Sequence, residues 1–252
     1  MKAVILAAGT ASRLRPLTDT VPKCLLPIGT TTILGMTLDN LIANGVKDTV
    51  VVTGYREQQI RDYVATRYPG LPVSFLTNTR FAETNNIYSL WLTREHLAGH
   101  TMLLLDSDIV FDPGIIALLR HSGRENCLAV LRSKALGSEE IKVRTDAAGA
   151  ILEISKEVDP PAAFGESIGI EMFSPFFVER LFDVLEQKIV LRKQVNQFYE
   201  AAFQEVIDGG EIIVAVDVGS LPCMEVDTPE DLDAARAFIE RAGQSVQKPQ
   251  VP

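Results

Sequence analysis

The sequence predicts an α/β protein: a doubly wound, mostly parallel, Rossmann-like sheet with helices on both faces and a small β-hairpin and helical insertion. Three observations carry this. Short runs of β-branched residues recur along the first half, several of them apolar throughout, as in strands covered on both faces. Stretches with apolar residues at helical spacing separate them, the alternation that builds a doubly wound sheet. After about residue 135 the rhythm shifts towards paired short strands and longer helices.

Taken in order, "KAVILAA" (2–8), "DTVVVTG" (48–54), "PVSFLTN" (72–78), "TMLLLDSD" (101–108) and "NCLAVLR" (126–132) read as strands. Between them, Leu34, Leu38, Leu41 and Ile42 share one helical face, as do Ile87, Leu90 and Trp91. "EEIKVRTDAAGAILEISKE" reads as two short strands around an Ala-Gly turn, and "ESIGIEMF" as a further strand. Helical segments follow near 175–188 and 197–208, then strand character returns at "EIIVAVDVG" and "CMEVD". "TPEDLDAARAFIERAG" opens a closing helix, with Thr228 as N-cap, Pro229 at the first helical position and acids in the first turn. One domain is expected over 1–242, with a disordered polar tail over 243–252.

The 252 residues suffice to bury a core in one large domain. No run of eighteen apolar residues occurs, and "MKAVILAAG" is too short for a signal peptide, so a cytoplasmic location is expected. Three scattered cysteines, Cys24, Cys127 and Cys223, fit a reducing compartment and neither a disulfide framework nor a zinc site. A net charge of −9 argues against nucleic-acid binding, which requires many phosphates to be neutralised. It does not exclude a single nucleotide, provided the few cations gather locally.

They gather at "LAAGTASRLRPLTDTVPK" (6–23), where Arg13, Arg15 and Lys23 follow directly on the first strand. Gly9 permits a positive φ, and Ala7, Ala8 and Ala11 keep side-chain bulk away from an approaching ligand. Backbone N–H groups of such a loop can form an anion-binding concavity. Arg13 offers a bidentate fork to phosphate and Lys23 a compact charge. The plain alternative is a surface loop with solvated cations. Neither GxxxxGK[ST] nor GxGxxG is present, which excludes a Walker-type NTPase and disfavours a dinucleotide oxidoreductase.

Two pairs of acids accompany the loop. Asp106 and Asp108 in "LLLDSDIVF" stand at i, i+2 at the end of an apolar strand, where open α/β sheets bind ligands. Mg²⁺ takes a few carboxylates plus phosphate oxygens, a role that suits Asp108; either acid could instead cap the following turn. Glu225 and Asp227 repeat the spacing just before the closing helix, with Asp231 a helix-start acid. Thr84, Asn85 and Asn86 open a helix with paired donors and acceptors suited to a base edge or a sugar hydroxyl, and suited equally to capping.

"LAAGTASRLRPLTDTVPK" resembles the L-A-A-G-x-G-[ST]-R…P-K signature of the nucleoside-diphosphate-sugar pyrophosphorylase and cytidylyltransferase superfamily, through Leu6 to Gly9, Ser12, Arg13, Pro22 and Lys23. The second glycine of the signature is Ala11 here. "ETNNIYSLWLTR" is most similar to the choline-phosphate and 2-aminoethylphosphonate cytidylyltransferase branch. The resemblance implies a Mg²⁺-dependent enzyme that transfers CMP from CTP to a small phosphorylated or phosphonylated alcohol and releases pyrophosphate. A sugar-1-phosphate nucleotidyltransferase and an inactive nucleotide-binding regulatory module are the rival readings. It implies a nucleotide site at Leu6, Ala7, Ala8, Gly9, Thr10, Ala11, Ser12, Arg13 and Lys23, joined by Thr84, Asn85, Asn86 and Asp106. Metal ligands would be Asp108 and Asp227, with Glu225 beside them. Lys156 would meet the acceptor phosphate, with Gly169, Phe198 and Tyr199 beside the acceptor; Glu166 is a carboxylate that would suit a primary ammonium on it. The same resemblance makes 1–134 mainly nucleotide-binding, 135–210 mainly acceptor-binding, and 211–242 a return to the core. CTP and the acceptor are the expected partners, with a homo-oligomer left open.

Overall fold

A computed structural model of the protein describes residues 1–132 and 136–246. In chain order the strands are β1 (Lys2–Ala7), β2 (Pro27–Ile28), β3 (Thr31–Thr32), β4 (Thr49–Thr53), β5 (Val73–Thr77), β6 (Met102–Asp106) and β7 (Ile109–Phe111). The second half adds β8 (Cys127–Leu131), β9 (Lys142–Thr145), β10 (Ile151–Ser155), β11 (Gly165–Phe173), β12 (Val214–Asp217) and β13 (Cys223–Glu225). The α-helices are α1 (Ile33–Ala43), α2 (Glu57–Arg67), α3 (Asn86–Trp91), α4 (Arg94–Leu97), α5 (Gly114–His121), α6 (Pro175–Glu186), α7 (Glu200–Asp208) and α8 (Pro229–Val246).

Nine strands form one mixed sheet along the path β10-β9-β11-β6-β1-β4-β5, with β8 paired to β11 and to β12. β1 lies between β4 and β6, parallel to both, and β5 continues the parallel set. The long β11 runs against β6, β8 and β9, and a register shift between Ser167 and Glu171 bends it so that one strand serves three neighbours. β9 and β10 form the expected antiparallel hairpin. Its turn is closed by Asp146 Oδ1, which accepts from the N–H groups of Ala148 and Ala150.

Val4, Ile5, Leu103 and Leu104 are fully buried because helices cover both faces of the sheet. On one face α3 and α6 pack Ile87, Leu90, Phe177 and Leu181 against the strands; on the other α1, α2 and α5 supply Leu34, Leu38, Ile60 and Ile116. Ile42 departs from the expected helical stripe: it is 40% exposed at the end of α1, while Leu34, Leu38 and Leu41 are buried. Trp91 packs at the margin of the core and donates its indole N–H to Glu186 at 2.8 Å. α8 runs to Val246, four residues into the stretch expected to be a tail; residues 247–252 lie outside the described residues. Among the described residues no helix is long and apolar enough to cross a membrane.

Candidate active site

The carboxyl ends of β1 and β6, the turn after β5 and the start of α3 surround a cavity of about 540 Å³. Parallel strands leave a crevice at this edge because the chain must depart from it to reach the covering helices. The cavity is lined by Leu6, Ala7, Ala8, Gly9, Ala11, Arg13 and Lys23, by Thr84, Asn85 and Asn86, and by Asp106, Asp108, Glu225 and Asp227. Lys156, Glu166, Gly169 and Phe198 complete it from the second half of the chain.

The loop after β1 reaches its shape by a route other than the one expected. Gly9 does not sit in the left-handed region, and a Cβ there would meet open space. Ala11 does, at φ 49° and ψ 53°, in the place where the related signature has its second glycine. For an alanine that conformation costs about 1–2 kcal/mol. The Ala11 carbonyl is held by the N–H of Leu14 and by the Thr18 hydroxyl at 2.9 Å, which fixes the turn into residues 12–14. Thr10 and Ser12 are in the loop but do not line the cavity. Arg15 turns away and pairs with Asp19 at 3.3 Å on the surface.

Lys23 and the acids form one charge cluster. Lys23 Nζ stands 2.8 Å from Asp108 Oδ2 and 2.6 Å from Asp227 Oδ1, and Arg13 Nη2 stands 2.6 Å from Asp227 Oδ2. These partners are 85 and 204 residues apart from Lys23 in sequence. Backbone pairing brings the acids together: β13 runs antiparallel to β7, with Glu225 opposite Ile109, and the Val226 N–H donates to the Asp108 carbonyl at 3.0 Å. Asp231 is more than a helix-start acid. Its Oδ2 accepts from the backbone N–H groups of Asp227 and Thr228, at 3.1 and 2.8 Å, while the Thr228 hydroxyl accepts from the Asp231 N–H. This reciprocal cap anchors the backbone of Asp227 at the start of α8.

Burial alone would lower the pKa of Lys23, but Asp108 and Asp227 outweigh it and hold the ammonium above its usual range. Desolvation acts against the Asp227 carboxylate too, yet Lys23 and Arg13 draw it below its ordinary value. For Glu225 the balance goes the other way: desolvation and then the charges of Asp108 and Asp227 outweigh the field of Lys23 and push it up to about 8. Oxygens of Asp108, Glu225 and Asp227 all lie within 4.8 Å of one another. Three hard oxygen donors at this spacing, open to a cavity that admits phosphate oxygens, fit a Mg²⁺ ion. In this arrangement the Lys23 ammonium, with the Arg13 guanidinium on Asp227, supplies positive charge to the acids.

Asp106 belongs to a different group. Tyr199, fully buried, points its hydroxyl at Asp106 Oδ2 (3.0 Å) and Glu171 Oε1 (3.3 Å). The phenol has one proton to donate, so a second hydrogen bond requires a protonated carboxyl. Desolvation raises both Asp106 and Glu171 well above the carboxylate range, which allows it. Tyr199 is therefore a support behind the cavity wall and does not itself line the cavity, whereas Phe198 does. Asn86 Oδ1 accepts from the Tyr199 N–H at 2.9 Å, and Asn85 Oδ1 caps α3 by accepting from the Asn86 N–H. Gly169 has φ +68°, and a Cβ there would lie 2.6 Å from Asp106 Oδ2, so the glycine makes room for that carboxyl.

Lys156 Nζ pairs with Glu139 at 3.2 Å and lies 5.0 Å from the centre of the Phe198 ring. Glu166 is half-buried across the cavity, where burial and Glu140 raise its pKa. Asn78, Phe81, Ser89 and Glu200 also line the cavity and had no recognisable signal in the sequence. Asn78 directly follows a strand, donates to Thr84 and Ser89 at 3.1 Å each, and so braces the start of α3.

Comparison with known proteins gives the family and the fold. Residues 2–133 match the nucleotidyl transferase family. The chain is 29% identical over 239 residues to the CMP-5'-(3-aminopropyl)phosphonate synthase of Streptomyces rubellomurinus, covering 92% of this chain and 37% of that one. It is 36% identical over 107 residues to the choline-phosphate cytidylyltransferase of Streptococcus pneumoniae, covering 42% of this chain and 45% of that one. The chain thus spans less than half the length of these relatives in the aligned regions. A solved structure of the CTP:phosphocholine cytidylyltransferase from Streptococcus pneumoniae superposes with a TM-score of 0.80 at 22% identity, covering 94% of this chain and 98% of that one, and shares the fold.

Proposed function

This chain belongs to the nucleotidyl transferase family, and we propose that within it the protein is a Mg²⁺-dependent cytidylyltransferase. Its reaction would move CMP from CTP to a small phosphorylated or phosphonylated alcohol, of the phosphocholine or 2-aminoethylphosphonate type. The observation that carries this reading is the cluster in which Lys23, Arg13, Asp108 and Asp227 face one cavity at the carboxyl end of the sheet. The cytidylyl and aminophosphonate assignments draw on the relatives' activities, and the nucleotidyl chemistry on the family.

An oxygen of the acceptor phosphate or phosphonate attacks the α-phosphorus of the nucleotide. A new P–O bond forms as the bond to the bridging oxygen breaks, and pyrophosphate departs with that electron pair. A phosphate monoester is largely ionised near neutral pH (second pKa about 6), so no general base is required. This is consistent with His96, His100 and His121 standing outside the cavity. Arg13 and Lys23 would bind the triphosphate, Lys23 exchanging its carboxylate partners for phosphate oxygens. Asp108 and Asp227, with Glu225 beside them, would hold Mg²⁺, which when bound supplies charge neutralisation at the α-phosphate. Lys156 would leave Glu139 to orient the acceptor. Catalysis then rests on positioning and preorganised charge.

The test is pyrophosphate release from CTP, UTP, dTTP and ATP, each paired with phosphocholine, 2-aminoethylphosphonate and glucose 1-phosphate. CTP with one of the first two acceptors is the expected productive pair, and Asp108→Ala should abolish it. Turnover confined to glucose 1-phosphate would move the protein to the sugar branch. Nucleotide binding without turnover of any pair would make it a binding module.

A further inference from the structure

Glu200 stands at the start of α7, 6% exposed, and lines the cavity. Its Oε2 atom is inaccessible and has no hydrogen-bond partner among the described residues. A buried carboxyl oxygen without a partner is costly, and for one on a cavity wall a bound donor is the direct way to complete it. Desolvation raises the Glu200 pKa to about 7, and the charge of Lys156 is the one nearby side-chain influence that lowers it. The two groups therefore sense each other across the same end of the cavity.

The surroundings define what Glu200 would receive. Phe198, two residues before it, is 43% exposed and already carries the Lys156 ammonium over its ring at 5.0 Å. Its face is thus an established cation–π surface. The turn bearing both residues is rigidly held: Asn86 binds the Tyr199 N–H, and the Tyr199 hydroxyl is fixed between Asp106 and Glu171. When Lys156 swings to the acceptor's phosphorus oxyanion, the space over the ring becomes free for a second cation. A primary ammonium would bring three N–H donors to the carboxylate. A trimethylammonium would bring none, and it favours an aromatic cage that one ring does not provide. Glu166 is a weaker candidate because it has no buried oxygen left without a partner and is only half-buried.

We infer that Glu200, with Phe198 beside it, is the receptor for a primary ammonium on the acceptor's tail, so that the acceptor class is a short ω-aminoalkyl phosphonate or phosphate. This rests on the proposed cytidylyl transfer for the identity of the site, and it adds the tail chemistry and the residue that selects it.

The test is calorimetric binding of 2-aminoethylphosphonate, its trimethylated analogue and ethylphosphonate to the full chain, with CMP and MgCl₂ present. The wild type is expected to bind the primary amine about 10- to 100-fold more tightly than ethylphosphonate, the range for a buried charged hydrogen bond, and more tightly than the trimethylated compound. Glu200→Gln should bind the amine and ethylphosphonate alike, and Glu200→Asp should restore part of the preference. Equal wild-type binding of all three, no binding of any, or an undiminished preference in a folded Glu200→Gln would overturn the inference. Pyrophosphate release is read separately. Amine-selective binding with no turnover of any nucleotide would sink the proposed reaction and leave the ammonium receptor standing; turnover without amine preference would do the reverse.

Discussion

Lys23→Met tests whether one ammonium balances three acids. Lys23 has a side chain only 12% exposed, with two carboxylates at 2.8 and 2.6 Å. Methionine keeps most of the aliphatic stem and removes the charge. The acids that remain have oxygens within 4.8 Å of one another. Removing one partner of a buried ion pair costs about 3–5 kcal/mol when the other stays charged. Two features reduce that here: Arg13 still pairs with Asp227, and Glu225, with a pKa of about 8, can take up a proton. A loss of about 2–4 kcal/mol is therefore expected from urea denaturation in EDTA. It should grow with rising pH, because Glu225 then loses the proton that relieves repulsion. Millimolar MgCl₂ should stabilise the variant more than the wild type, since the ion would supply the missing charge without displacing an ammonium. Pyrophosphate release should fall about a hundredfold or more, as when a preorganised charge is removed from a developing oxyanion. A variant as stable as the wild type in EDTA, with an equal response to MgCl₂, would refute the charge-balance reasoning.

Three further outcomes follow from particular contacts. Gly169→Ala places a Cβ 2.6 Å from Asp106 Oδ2 at φ +68°; it should destabilise the protein by about 2–4 kcal/mol in thermal unfolding and depress turnover as Asp106 shifts. Ala11→Gly relieves a left-handed alanine and should raise the free energy of unfolding in urea by up to about 1 kcal/mol after the entropy cost of glycine, while nucleotide affinity is retained or improved. Glu200 has a folded pKa of about 7 against an ordinary 4.5. The native state thus holds this proton more tightly than the unfolded chain, so its effect on stability falls as pH rises from 4.5 to about 7 and is level above that. Glu200→Gln removes that slope and should make the unliganded protein more stable than the wild type at about pH 8, by up to ~3 kcal/mol, with little difference at about pH 4. An unchanged pH profile would show that Glu200 is not desolvated.

The division between what was legible and what was not follows the range of the interactions. The parallel strands, the helices that cover them and the cation-bearing loop are visible in sequence because local periodicity and glycine or alanine placement encode them. Asp108 is nameable because it ends an apolar run before a turn, and Asp227 because the family resemblance implies a metal ligand at the strand end before the closing helix. The supporting contacts of Asp231 and Tyr199 are not legible for the same physical reason: an acid in a first helical turn and an aromatic in an apolar stretch have the same local pattern whether or not they support a site. Asn78 and Glu200 gave no signal at all, since nothing beside them in the chain reveals that their polar atoms face a cavity.

The sequence by itself determined the strands of the main sheet and which cations lie near one strand end, because those properties depend on neighbours within a few residues; the short β2, β3 and β7 were not legible in it. Only the tertiary structure decided that β13 pairs with β7, and through it that Asp227 meets Lys23 across 204 residues. It also decided that the left-handed position of the loop falls on Ala11 and not on Gly9, and that a carboxyl oxygen of Glu200 is buried without a partner. Charge pairing and desolvation depend on distance in space, and a linear pattern does not contain that distance.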